Sequence, residues 1–158
     1  MSIIAIDPGT KDTGLVYMDE ARIIDAETIR YGEAVKADQD ALLHRAHDIT
    51  LRIADWIAAR KHDAVVIEGF VTYHGRQSGY TFQTPYLCGY IHAALAMEYF
   101  VIQTSRQVLN PHTRGNVAAY KAAMEQGRDV WGDCSKLTND HLRSAAAHGI
   151  YYYIHKED

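Results

Sequence analysis

The chain has 158 residues, 47% apolar and 23% charged, enough for a sheet with covering helices and ordinary for a soluble globular domain. A formal charge of −4 argues against an indiscriminate basic nucleic-acid binder, and no apolar run reaches bilayer length. Cys88 and Cys134 stand alone without Cys-x-x-Cys spacing, so neither a disulfide framework nor a zinc site is expected.

In chain order, Ile3-Ile4-Ala5-Ile6 runs into a lone carboxylate, Asp7, before Pro8-Gly9 stops the strand. An uninterrupted apolar run of β-branched character reads as a strand buried on both faces, and the following proline holds Asp7 extended. By itself such an Asp also caps turns. Thr13–Tyr17 is expected as the return strand and Arg22–Tyr31 as a third. Leu42, Ala46, Ile49, Ile53 and Trp56, spaced by three and four, predict an amphipathic helix over Ala41–Arg60. Asp63–Phe70 repeats the opening pattern, an apolar strand ending in an acid, Glu68. If these strands are neighbours, Asp7 and Glu68 converge, and two close carboxylates repel unless a cation lies between them.

Val71–Gln83 reads as a surface loop in which aromatic rings alternate with Arg76, a composition able to stack on bases and hold phosphate. Thr84-Pro85 predicts a helix start with a helix to Met97, carrying a small-residue stripe of Gly89, Ala93 and Ala96. Tyr99–Gln103 is expected as a fifth strand and Asn116–Gln126 as a helix. Between Gly69 and Met124, Arg76, Arg106, Arg114 and Lys121 face one acid, Glu98, a local basic bias on an acidic chain. The last helix is expected over Asn139–Tyr152, capped by Thr138 or Asn139. At about 100° per residue, Asp140, His141, Ser144 and His148 share one arc and Leu142, Ala145, Ala146 and Gly149 the opposite side. Asp140 is also favoured in a first turn by the helix dipole alone.

The string Ile6-Asp7-Pro8-Gly9-Thr10-x-x-Thr13-Gly14 resembles the first motif of the RuvC-type Holliday-junction resolvases, nucleases of the ribonuclease H-like superfamily, and Glu68 at its strand tip resembles the second. The resemblance implies an α/β ribonuclease H-like fold, a central mixed five-stranded sheet flanked by helices, as one domain over residues 1–158. It implies a Mg²⁺-dependent endonuclease, with Mn²⁺ as substitute, that cuts branched DNA at four-way junctions by paired nicks as a homodimer, through two-metal-ion phosphodiester hydrolysis. Asp7 and Glu68 would be metal ligands. Phe70 or Tyr73 would act at the junction centre, and Arg106, in a Ser-Arg-x-Val stretch, together with Arg114 and Lys121, would lie near DNA.

The family ordinarily ends with Asp-x-x-Asp or His-x-x-Asp on the last helix. Here Leu137 breaks the pattern if Asp140 is the second member, and Ser144 breaks it if His141 is the first. The expectation is Asp140 as third ligand, eight residues before His148, where the family often has a histidine. His141 is then the fourth group, as ligand or acid/base, with Asp133, Ser144 and His148 as alternatives. The expected setting is cytoplasmic, a host cytoplasm for a phage-borne chain, with no membrane partner. The other readings are a ribonuclease or structure-selective nuclease of the same fold, and a non-catalytic DNA-junction-binding protein.

Overall fold

The computed structural model describes residues 1–32, 39–69, 83–95, 100–104, 108 and 131–155. In chain order the elements are β1 (Ser2–Asp7), β2 (Asp12–Asp19), β3 (Arg22–Arg30), α1 (Gln39–Ala58), β4 (Ala64–Gly69), α2 (Gln83–Ala94), β5 (Phe100–Thr104), a 3-10 turn at Cys134–Lys136, and α3 (Asp140–His155). The strands form a five-stranded sheet in the order β3-β2-β1-β4-β5. The β1–β2 and β2–β3 pairs are antiparallel, and the β1–β4 and β4–β5 pairs are parallel. The mixed sheet expected from the resemblance is therefore present.

Period-two alternation in the central strands divides the core into two layers. Ile3 and Ala5 of β1 join Ala64 and Val66 of β4 against Leu142, Ala145, Ala146 and Ile150 of α3. Ile4 and Ile6 join Val65 and Ile67 on the opposite face, under Ile49, Ile53 and Ile57 of α1 and Leu87 and Ile91 of α2. Burying both faces of β1 and β4 explains their continuous apolar sequence.

The β2–β3 hairpin turns through Glu20 and Ala21, both at positive φ (47° and 62°), with Asp19 paired to Arg22. A two-residue turn of this hand matches strand twist, but here it uses residues that carry a Cβ into the left-handed region. The helix α2 begins at Gln83, so Thr84-Pro85 lies inside its first turn, where the missing proline N–H would have had no helical acceptor anyway. Gly89 and Ala93 are exposed, and a Cβ at Gly89 would meet nothing within 4 Å. These two stripe residues thus face outward rather than into the core. Among the described residues no helix is long and apolar enough to cross a membrane.

The helix α3 is set tightly on the sheet. A Cβ on Gly14 would collide with the carbonyl of His141, and one on Gly149 would sit 2.6 Å from Met18 Sδ. Its start is fixed by Asn139, whose Oδ1 accepts from the Leu142 amide at 3.0 Å while its Nδ2 donates to Thr28 Oγ1 at 2.7 Å. One residue thus caps the helix and ties it to β3.

Candidate active site

Strand register brings the two acids together. Ile6 of β1 pairs with Ile67 of β4, so Asp7 and Glu68 follow at the carboxyl ends of neighbouring parallel strands. Glu68 in turn pairs with Gln103 of β5. All three continue the parity of Ile3, Ala5, Ala64, Val66 and Val101, the residues packed toward α3. Asp7, Glu68 and Gln103 thus form a row along one sheet edge, on one face, beneath the first turns of α3.

From α3, residues at i, i+3 and i+7 meet that row, the spacing of a single helical stripe. His141 Nδ1 lies 2.9 Å from Asp7 Oδ2. Ser144 Oγ donates to Glu68 Oε2 at 2.8 Å. His148 Nε2 stands 3.6 Å from the same Glu68 oxygen, and its Nδ1 faces Gln103 Oε1 at 3.3 Å. The turn after β1 is locked by Thr13, whose buried hydroxyl donates to the Gly9 carbonyl at 2.8 Å and faces the Gly9 amide at 3.2 Å. Arg45 Nη1 of α1 donates to the Thr10 carbonyl of the same turn at 3.2 Å.

Burial raises the Asp7 pKa from 3.8 to about 7, with the negative charge of Glu68 adding to the rise and the hydrogen bond from His141 opposing it. The Asp7 side chain is 13% exposed. His141 shifts the other way in charge terms: its hydrogen bond to Asp7 raises its pKa above 6.5 against the cost of burial. Asp7 thus holds its proton more tightly than an ordinary carboxylate, first because it is buried, and the neighbouring Glu68 charge adds a repulsion that a cation would relieve. Cys88, whose Sγ lies 3.9 Å from the Glu68 carbonyl, has its pKa pushed up to about 12 by burial and then by the charges of Glu68 and Asp7. It is a packed thiol rather than a nucleophile.

The chain matches no family model and no curated protein sequence. Its shape is nonetheless familiar. It superposes over 99% of its length on T. thermophilus RuvC in complex with a Holliday junction substrate, covering 95% of that chain at TM-score 0.74 and 20% identity. A second structure of Thermus thermophilus RuvC gives TM-score 0.70 at 20% identity over 99% of this chain and 96% of that one. The fowlpox virus resolvase, in complex with substrate Holliday junction DNA, gives 0.62 at 13% identity, with both chains covered completely (100%). The fold is that of the RuvC-type resolvases.

Within this RuvC-like fold the expected site residues separate into those the structure gathers and those it does not. Asp7, Glu68 and His141 are gathered. Asp140 is not: its side chain is 73% exposed and its Oδ1 is 2.6 Å from Arg143 Nη1, an i,i+3 pair on the outer side of α3. The structure thus does not bring Asp140, expected as third ligand, to the acid row. Asp140 lies at the margin of the polar arc, about 100° from His141, and Gly14 seats the helix so that His141 faces the sheet. The frame His141-x-x-Ser144 is therefore the one presented to the acids. Asp133 is occupied elsewhere, its Oδ1 accepting from the Ser135 amide at 3.1 Å in the 3-10 turn. Phe70, Tyr73, Arg76, Arg106, Arg114, Lys121 and the helix expected over Asn116–Gln126 lie outside the described residues.

Two participants were not singled out by sequence. Gln103 is buried at the far end of the acid row; a polar residue two positions after Val101 in a short strand was the available signal. Thr13 is buried in the turn, and the Gly-to-Thr spacing of the first motif is what allows its hydroxyl to close that turn. As donors, Asp7 and Glu68 offer the hard carboxylate oxygens that Mg²⁺ prefers. Among the described residues no group of three His, Cys, Asp or Glu side chains is disposed to chelate a metal by itself. A carboxylate pair of this kind fits an ion that keeps several waters and completes its shell with substrate phosphate.

Proposed function

We propose that the protein is a Mg²⁺-dependent endonuclease that cuts four-way DNA junctions. The observation that carries this reading is the pairing of Asp7 and Glu68 at adjacent strand ends on one face, with the Asp7 pKa driven up to about 7. A RuvC-like fold supplies the prior for the substrate, because the structures it resembles include resolvases in complex with Holliday junction DNA.

Asp7 and Glu68 would hold the metal, with Mn²⁺ able to replace Mg²⁺. The ion supplies Lewis-acid polarisation of the scissile phosphate and a more acidic water as nucleophile. Asp7 is held extended by Pro8, and Thr13 and Arg45 fix the turn behind it, so the carboxylate is preorganised. Ser144 anchors Glu68 through Oε2. His141 is hydrogen-bonded to Asp7 and 39% exposed, so it can pass a proton to or from solvent or a leaving oxygen at the rim. Two copies of the site in a homodimer would nick the two strands as a pair, with Phe70 or Tyr73 at the junction centre and Arg76, Arg106, Arg114 and Lys121 toward the backbone.

The test compares a labelled four-way junction with linear duplex, flap and RNA–DNA hybrid, in Mg²⁺ and in chelator. Metal-dependent nicks confined to the junction support the proposal; preferential hybrid or flap cutting retains the nuclease and overturns the substrate. Ser144 at the position expected to be acidic favours a second reading, a junction-binding protein without turnover, because a hydroxyl does not replace a carboxylate's charge. Binding without cutting in either metal would select it.

A further inference from the structure

His148 has no part in the chemistry described above, yet it is among the most deeply buried polar side chains, 1% exposed. A buried imidazole requires partners for both ring nitrogens. Here one nitrogen faces Glu68 Oε2 at 3.6 Å and the other Gln103 Oε1 at 3.3 Å. The first distance is within ion-pair reach and longer than a hydrogen bond. Glu68 Oε2 already accepts from Ser144 Oγ at 2.8 Å. That oxygen is therefore held from behind by two groups on successive turns of one helix.

We propose that Gln103 and His148 form a relay that positions Glu68 for its role as metal ligand. An ionised Glu68 only accepts, so the ring edge turned toward it at 3.6 Å favours Nε2–H, and Nδ1 is left to Gln103. Gln103 can serve Nδ1 through either end of its amide, the oxygen as acceptor or, turned about the last side-chain bond, the NH₂ as donor. Glutamine fits this place better than a residue able only to donate or only to accept. The relay supplements the single contact that Ser144 gives Glu68, without restoring a carboxylate's charge. A serine alone holds Oε2 through one rotatable hydroxyl, whereas an imidazole locked between two strand ends restricts the carboxylate's rotation. Histidine is a positioning residue here, because it acts through Glu68 and does not touch the reacting atoms.

This inference rests on the proposed role of Glu68 as ligand. It is tested first without DNA, by Mn²⁺ binding to the full chain, read by electron paramagnetic resonance. The His148→Leu variant is expected to weaken Mn²⁺ binding by about 10- to 100-fold, the usual loss for a group supporting a metal ligand. The His148→Gln variant, which keeps an N–H donor, is expected to recover most of the affinity. Gln103→Met leaves the imidazole in place and guards against a leucine variant that fails to fold. It should weaken Mn²⁺ in the same direction and alter the ¹⁵N signature of the His148 ring, with junction affinity in chelator unchanged. Mn²⁺ affinity equal to wild type in both His148→Leu and Gln103→Met overturns the relay. Wild-type protein that takes up no Mn²⁺ overturns the assignment of Glu68 as ligand, and the relay with it. Mn²⁺ uptake without cleavage overturns the endonuclease reading and leaves the relay standing.

Discussion

Replacing Asp7 by Asn removes a charge that the fold holds at a cost. The folded-state pKa is about 7 against 3.8 for an ordinary Asp. A raised pKa means that the folded protein binds this proton more tightly than the unfolded chain does. Stability from this group is therefore fully present below about pH 4 and lost as pH rises through about 7. At about 1.4 kcal/mol per pH unit the metal-free protein forfeits roughly 4 kcal/mol across that window. The raised pKa of His141 has the same sign, its contribution being present below 6.5 and lost above its folded value. Asparagine avoids the ionisation cost but weakens the bond to His141, about 1 kcal/mol. The Asp7→Asn variant in chelator is thus expected to be more stable than wild type near neutral and alkaline pH, by about 2–3 kcal/mol. At about 2–4 °C per kcal/mol for a chain of this size, Tm should rise by roughly 5–10 °C. The assay is thermal unfolding at about pH 5 and about pH 8, chosen because ordinary carboxylates titrate below that range. Eight of the nine histidines largely cancel between the two proteins, whereas His141, whose raised pKa comes first from its bond to Asp7, loses that rise in the variant and so steepens the difference in the same sense. Millimolar Mg²⁺ should restore wild type at the higher pH and leave the variant unmoved. Parallel pH profiles, or a variant less stable at the higher pH, would refute the raised pKa of a buried Asp7.

Other consequences are simpler to check. Asp140→Ala should alter junction cleavage by less than about 2-fold, since that carboxylate is exposed and paired with Arg143, whereas His141→Ala should slow it by roughly 100-fold or more. Asn139→Ala should cost about 1–2 kcal/mol in denaturant unfolding through the lost cap and the lost bond to Thr28. The double change Glu20→Asn with Ala21→Gly should raise stability by about 1 kcal/mol, because both positions have positive φ. Cys88 should resist alkylation in the folded protein near about pH 8, its thiol pKa being about 12, and react once the protein is unfolded.

The acid pair was legible because two continuous apolar strands each end in a carboxylate, and strands buried on both faces are central in a sheet. Parity then puts Asp7 with Ile3 and Ala5, and Glu68 with Ala64 and Val66. The helix was legible as an element and illegible in rotation. Asp140, His141, Ser144 and His148 share one polar arc, and composition cannot say which edge of that arc meets the sheet. The decision lies in a contact between distant segments, where Gly14 admits the backbone of His141. Gln103 escaped notice for a similar reason: its importance depends on the β4–β5 register, which pairs it with Glu68. The hairpin turn broke a local rule, since nothing about Glu20-Ala21 advertises left-handed backbone, and the strands on either side impose it.

The most direct test of a metal-dependent junction endonuclease is cleavage of a labelled mobile four-way junction by wild type and Asp7→Asn, in Mg²⁺ and in chelator. Paired nicks near the branch point by wild type in Mg²⁺ alone, with Asp7→Asn binding the junction but leaving it intact, is the predicted result. Cutting by Asp7→Asn at the wild-type rate, or cutting by wild type in chelator, would contradict it.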